Sequence, residues 1–348
     1  MASLNGHEAF GYDTDPLAVL IARVWGRPLP SKTFLREARA VVERAKDMRK
    51  VLRKPYALDD ETQTFIDFWF DQTAQVRLAA LAAAIVEDEW RTKGALWCAF
   101  SRLIITKDTG ASRARDVSHS RPHRVRDRTT FNPIDEFEKS ANVVLRRHQA
   151  TSKVRPTNSL FLGRHDARRV PLEANSIDFV MTSPPYLNAA IDYMRGHRLS
   201  LVWMGYSLAD LRALRTGSVG SATGMEPSDG HIELIDEVVG KGNLPLKGRR
   251  IVAKYLHDLE EIVRETGRVL VKGGRAVFVV ADSVLLGVKV RVGDLLTGIA
   301  EAIGLELEGR ETRAIAADRR YLPPPSRQDG SLDKRMREEI CLSFSAAG

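Results

Sequence analysis

Ile177-Asp178-Phe179-Val180-Met181-Thr182-Ser183-Pro184-Pro185-Tyr186 is the stretch that most limits what this chain can become. The apolar run 179–181 suits a strand buried on both faces. Two prolines then end any sheet pairing and fix the backbone direction, because proline has no N–H to donate and a locked φ. A hydroxyl, a rigid kink and an aromatic ring are thereby set at the carboxyl end of a buried strand. In open α/β sheets that end is where ligands bind.

Such a turn suits one chemistry in particular. An exocyclic amine on a nucleobase is a weak nucleophile, since its lone pair is delocalised into the ring. A catalyst must accept hydrogen bonds from the amine and hold its nitrogen in line with an electrophilic methyl group. Ser183 Oγ and the Pro184 carbonyl can accept, and the proline nitrogen offers no competing donor. Tyr186 supplies a flat face on which a base taken out of its helix can stack. On these residues alone, an ordinary proline turn after a core strand fits equally well.

Thr182-Ser183-Pro184-Pro185-Tyr186 resembles motif IV of the DNA amino-methyltransferases, which use S-adenosyl-L-methionine (SAM) to make N4-methylcytosine or N6-methyladenine. The resemblance covers the start of the chain and roughly 156–348. It implies an α/β, Rossmann-like SAM-dependent methyltransferase fold with a closing antiparallel strand. It also implies direct SN2 transfer to a cytosine or adenine amine in DNA. Ser183, Pro184, Pro185 and Tyr186 take the catalytic roles, and Thr182 lies at the cofactor. No cysteine nucleophile is called for, and neither Cys98 nor Cys341 follows a proline as carbon-5 cytosine chemistry would want. After a short strand at 159–163, Arg164-His165-Asp166-Ala167-Arg168 resembles the family's Gly-Asp-Ala segment. There the aspartate accepts from the adenine amine of SAM, so Asp166, with Ala167 beside it, takes the same role. His165 departs from the usual glycine-type neighbour.

The first thirty residues carry a second likeness. Residues 7–13 read as a short strand with an acidic end, and Asp15-Pro16 as a helix start in which Asp15 caps and Pro16 suits the first turn. A carboxylate at a strand end can accept both hydroxyls of a ribose, and the resemblance gives Asp13 that role toward SAM. The family places a strand and a glycine-rich turn just before this point. Three alternatives follow: a segment upstream of Met1, a complementing chain that carries the glycine-rich motif, or its loss in a degenerate nucleic-acid-binding protein. Without that strand, 7–13 is left with an exposed edge. Gly217-Ser218-Val219-Gly220 and Gly240-Lys241-Gly242 read as loops rather than substitutes.

The chain then divides into 1–30, a helical insertion at 31–155, and a catalytic core at 156–348. Helical spacing is expected from Ser31 to about Arg53, from 59–61 through the aromatics Phe65, Phe68 and Trp69, over 78–85, over 96–105 and over 135–149. The three aromatics are expected in the core. Residues 112–128 form a long basic loop whose arginines suit phosphate contacts. Arg113, Arg115, Arg121 and Arg124 are candidate nucleic-acid contacts, as are Tyr193 and Arg195 after the motif turn. DNA is the expected partner; the same turn works equally on an RNA amine. Asp116, His119 and His123 lack a further ligand, so no metal is expected.

Downstream, 216–247 reads as an irregular glycine-rich lid. Residues 254–269 read as an amphipathic helix closed by Gly273-Gly274 at its C-cap, and 275–282 as a buried strand. A helix at 293–303 and an antiparallel hairpin of 305–314 with 339–345 complete the chain. Composition bears on partners: 348 residues with 43% hydrophobic and 28% charged content describe a globular chain, and the net charge of +8 favours a polyanion. No apolar run reaches the ~18 residues of a membrane span, and no signal peptide is apparent. A reducing, cytoplasmic setting is expected.

Overall fold

The computed structural model describes residues 2–51, 59–105, 109–115, 123–151, 159–187, 193–220, 225–315 and 338–347. In chain order these form β1 (Ala9–Asp13), α1 (Pro16–Trp25), α2 (Ser31–Val51), α3 (Asp60–Trp69), α4 (Gln72–Val86), α5 (Lys93–Ile104), β2 (Ala114–Arg115), β3 (His123–Arg124), α6 (Pro133–Thr151), β4 (Leu160–Arg164) and β5 (Ile177–Thr182). There follow α7 (Tyr193–Leu201), α8 (Leu208–Gly217), α9 (Asp229–Val239), α10 (Leu246–Val269), β6 (Leu270–Val280), β7 (Ser283–Leu285), β8 (Val288–Val290), α11 (Val292–Ala302), β9 (Leu305–Ala314) and β10 (Glu338–Ala346). Two compact units emerge, one of Met1–Arg164 with Asp192–Leu214 and one of His165–Ile191 with Arg215–Gly348. Among the described residues no helix is long and apolar enough to cross a membrane.

The first unit is mostly helical. Its helix starts are written in the sequence: Asp15, Asp59 and Asp71 each accept from backbone N–H groups of the first turn of α1, α3 and α4. Phe34, Phe70, Leu78, Leu81, Leu96, Phe100 and Phe137 are fully buried between these helices. β1 and β4 pair in parallel from Ala9↔Leu160 to Asp13↔Arg164, and Phe10 stacks on Phe161 with centroids 5.1 Å apart.

The aromatic cluster of α3 departs from expectation. Phe65 and Trp69 are buried, but Phe68 is 49% exposed. Thr62, Phe65, Ile66 and Trp69 define the buried stripe, and at 3.6 residues per turn Phe68 lies about a third of a turn away from its centre. The basic region is also not a plain loop. Its described parts pair as a short antiparallel ribbon, Ala114↔Arg124 and Arg115↔His123.

The second unit is built on a sheet of order β5-β6-β10-β9. β5 and β6 are parallel, and β10 runs antiparallel to both β6 and β9. The parallel pairs, joined through helices, and the reversed β10 meet the expectation of a mixed α/β, Rossmann-like fold. α10 lays Val252, Tyr255, Leu256, Leu259, Ile262 and Val263 along one buried stripe. Phe278 of β6 and Phe344 of β10 meet nearly perpendicular at 6.0 Å.

Three readings of this unit need correction. First, β5 is not buried on both faces: Phe179 is 54% and Met181 68% exposed. Among the described residues β5 pairs with β6 alone and is an edge strand, and Phe179 and Met181 lie uncovered on one of its faces. Second, the lid region contains a capped helix, α9, whose first-turn His231 N–H is accepted by the Ser228 hydroxyl. Third, Gly273-Gly274 is not a C-cap. α10 passes directly into extended backbone at Leu270, and the two glycines lie inside β6, where its register with β5 shifts between Ile177 and Phe179. Gly273 has φ +73°, and a Cβ on Gly274 would stand 2.8 Å from the Val271 carbonyl oxygen and 3.2 Å from that of Asp178. Backbone cannot yield as a side-chain tip can, so Gly274→Ala is expected to cost about 1–3 kcal/mol in a denaturant titration. An unchanged midpoint would mean that the bulge relaxes freely.

Candidate active site at the end of a parallel strand

β5 ends at Thr182, paired with Phe278, and the chain turns at once through Ser183-Pro184-Pro185-Tyr186. Pro184 is buried, Tyr186 half-buried, and Ser183 exposed. The turn is therefore anchored by one proline while its hydroxyl faces solvent. Gly220 closes on it from the segment after α8: with φ +72°, a Cβ there would lie 3.4 Å from Pro185 Cβ and 3.9 Å from the Tyr255 ring. Gly217 is the last residue of α8 rather than part of a loop, 218–220 form the turn after it, and Gly220 is the residue that brings backbone onto the Ser183–Tyr186 turn.

A directed hydrogen-bond chain runs through these groups. The Tyr186 hydroxyl donates to Glu339 Oε1 at 3.0 Å. Arg313 holds the other oxygen of Glu339 with Nε at 2.9 Å and a terminal nitrogen at 2.7 Å. A carboxylate only accepts, so the Tyr186 hydrogen is committed to Glu339 and its oxygen is left to accept. Ser183 Oγ makes a long donor contact of 3.4 Å to that oxygen. Where Ser183 gives its hydrogen to that contact, its own oxygen keeps lone pairs to accept from a further donor. Burial raises the Tyr186 pKa, and the Glu339 carboxylate raises it further against the opposing pull of Ser183, so the phenol stays protonated.

Asp166 lies just beyond the first unit's β4, in a tight turn bridged to Arg169. Arg168 reaches back to it with Nε at 3.0 Å and a terminal nitrogen at 2.5 Å. The same guanidinium binds Asp258 at 2.6 Å and the Gly217 carbonyl at 2.6 Å. Asp258 is fully buried on α10, is also held by Lys254 at 2.5 Å, and keeps its second oxygen without a partner, as does the nearby Tyr255 hydroxyl. Burial pushes the Asp166 carboxyl up, but the hydrogen bonds and charge of Arg168 outweigh it and hold the pKa below the ordinary carboxylate value. Asp166 is accordingly an anionic acceptor with lone-pair capacity beyond the arginine. Ala167 is exposed beside it.

Asp13 ends β1 in the first unit, exposed, and accepts from the Asp15 N–H at 2.8 Å. Asp15 is the cap of α1, and its other oxygen meets His197 Nδ1 at 2.5 Å. Tyr193 and Arg195 sit in the first turn of α7, Tyr193 exposed with its ring 6.1 Å from that of His197. Arg113 donates to the carbonyls of Asp67, Phe68 and Asp127, and Arg124 pairs with Asp127 at 2.6 Å. Arg115 is exposed, and Arg121 lies outside the described residues. Cys98 is buried and its thiol pushed up to about 12, which makes it a poor nucleophile. Among the described residues no group of three or more His, Cys, Asp or Glu is arranged to hold a metal.

Glu339, Arg313, Arg168 and Asp258 were not singled out from sequence. Lys254 and Asp258 are an i,i+4 pair that a helix reading could have found. Glu339 gives no such signal, because only strand register brings it to Tyr186.

No family model matches the chain, and no curated protein matches it. Solved structures that match include a candidate DNA modification methylase from Thermus thermophilus complexed with S-adenosyl-L-methionine, at 17% identity and TM-score 0.28, covering 53% of this chain and 51% of that one. A SAM-dependent methyltransferase from Methanosarcina mazei matches at 6% identity and TM-score 0.26, covering 60% of this chain and 77% of that one. The cyclase SpnF matches at 10% identity and TM-score 0.26, with 61% and 64% covered. The chain spans about half the length of the modification methylase.

Proposed function

We propose that this chain is a SAM-dependent methyltransferase acting on the exocyclic amine of cytosine or adenine in DNA. One observation carries the reading: the Ser183–Tyr186–Glu339–Arg313 chain at the end of β5, which leaves the exposed Ser183 oxygen as an acceptor. Ser183 and the Pro184 carbonyl accept the two amine hydrogens, which draws the base nitrogen into place and returns lone-pair density to it. The Tyr186 ring stacks the extruded base. When bound, SAM supplies an electrophilic methyl group on a sulfonium. Positioning and electrostatics then account for the rate. The same acceptors suit an amine in RNA, and substrate methylation assays on both polymers separate the two.

The acceptor-rich residues fit SAM's donors. Asp166 is the proposed acceptor for its adenine amine, and Asp13 for its ribose hydroxyls. Among the described residues no glycine-rich turn joins a strand to a helix. The unpaired edge of β5 and its exposed Phe179 and Met181 support a further segment there, carrying that turn on this or a second chain. Calorimetric titration of the chain with SAM, alone and with a strand–glycine-turn–helix polypeptide added, tests this. Binding that Asp166→Ala removes is expected. Failure under both conditions would overturn the cofactor assignment.

A further inference from the structure

Phe68 is the one aromatic of α3 that the core does not use. It sits 49% exposed, with the Arg124 guanidinium 5.4 Å from its centroid and Trp69 standing nearly perpendicular at 5.0 Å. The β2–β3 ribbon is bolted to this spot. The Arg113 N–H donates to the Trp69 carbonyl at 2.7 Å, and its guanidinium donates to the carbonyls of Asp67 and Phe68 at 2.7 and 3.0 Å and of Asp127 at 2.8 Å. Arg113 therefore serves as a clamp that fixes ring and ribbon together. The segments 113–115 and 123–128 carry Arg113, Arg115, Arg124, Arg126 and Arg128 with the carboxylate of Asp127 among them, while Asp67 precedes Phe68 on α3. Arg115 and His123 are exposed cross-strand partners on the ribbon face opposite to that of Ala114 and Arg124.

We infer that Phe68 is a stacking platform for an unpaired base of a bound single strand, with the ribbon arginines tracking its phosphates. An exposed ring beside dense positive charge is the pairing that single-strand binding uses: the π-face takes any base, and the charge follows the backbone. A surface arginine–aromatic pair alone would account for Arg124 but not for the other arginines of the ribbon. The inference rests on the nucleic-acid reading of the function but not on methyl transfer.

The test is titration of the full chain with a short single-stranded DNA containing the fluorescent base 2-aminopurine, at several salt concentrations. Phe68→Leu keeps apolar packing and removes the π-face. It is expected to weaken binding about tenfold, to lose the stacking quench, and to leave the salt slope unchanged. Phe68→Tyr is expected to restore both affinity and quench. Arg115→Ala is expected to lower the salt slope by about one. Thermal melts confirm that each variant is folded. Wild-type affinity and quench in Phe68→Leu would overturn the platform alone. A wild-type chain that binds no strand would overturn it together with the nucleic-acid part of the proposed function.

Discussion

Ser183→Ala and Tyr186→Ala are each expected to cut methyl transfer by about a hundredfold or more, measured as labelled methyl incorporated into DNA from SAM. Both changes fall at the open end of β5, where Ser183 is exposed and Tyr186 half-buried, so thermal stability should stay close to that of the parent. The two losses have different origins. Ser183→Ala removes the outward acceptor itself. Tyr186→Ala removes both the stacking face and the group that orients the Ser183 hydrogen. Tyr186→Phe separates these, since the ring remains while the links to Ser183 and to Glu339 go. It is expected to retain base binding, seen as a near-normal KM, and to lose turnover. Glu339→Gln probes the same orientation from the far end. A glutamine amide can donate to Tyr186 as well as accept, so the direction of the chain is no longer enforced. Full activity in both alanine variants would remove the turn from the chemistry and return it to the status of a proline corner.

How much of this could be read without the structure follows from where each constraint acts. The turn was legible because proline chemistry is local: two prolines after an apolar run stop a strand whatever surrounds it. The cap Asp15 and the helix opening at 59–61 are legible for the same reason. Gly273-Gly274 was misread because a glycine after a helix suits both a C-cap and a bulge, and only the pairing of β6 with β5 decides between them. The exposure of Phe179 and Met181 was missed because hydropathy reports what a residue prefers, not whether a neighbouring strand is present to satisfy it. Phe68 was assigned to the core on residue type alone, when its angle on α3 relative to Thr62, Phe65, Ile66 and Trp69 would have set it apart. Glu339 stands 153 residues from Tyr186, and no spacing rule spans that distance.

The second large effect is expected at Arg168. One guanidinium serves Asp166, the fully buried Asp258 and the Gly217 carbonyl. Arg168→Met keeps the length and apolar stem of the side chain but leaves Asp258, among the described residues, with Lys254 as its one partner and one oxygen already unpaired. Breaking a buried ion pair from one side is costly because the remaining charge is not rehydrated, and about 3 kcal/mol is expected in a denaturant titration. Adding Asp258→Leu should recover part of that loss, since apolar replacement of a buried pair is often neutral, while Lys254 gives up its partner on Asp258. The pH dependence carries its own sign. Asp166 has its folded pKa held below the ordinary value by Arg168, so its contribution is complete above the unfolded carboxylate pKa and disappears as pH falls through the folded one. With Arg168 gone, burial is the main influence left on Asp166, and this part of the acid-side loss should flatten or reverse. A variant that keeps parental stability and the parental acid limb would show that Arg168 is a solvated surface cation and that the cluster plays no part in holding α10 to the Asp166 turn.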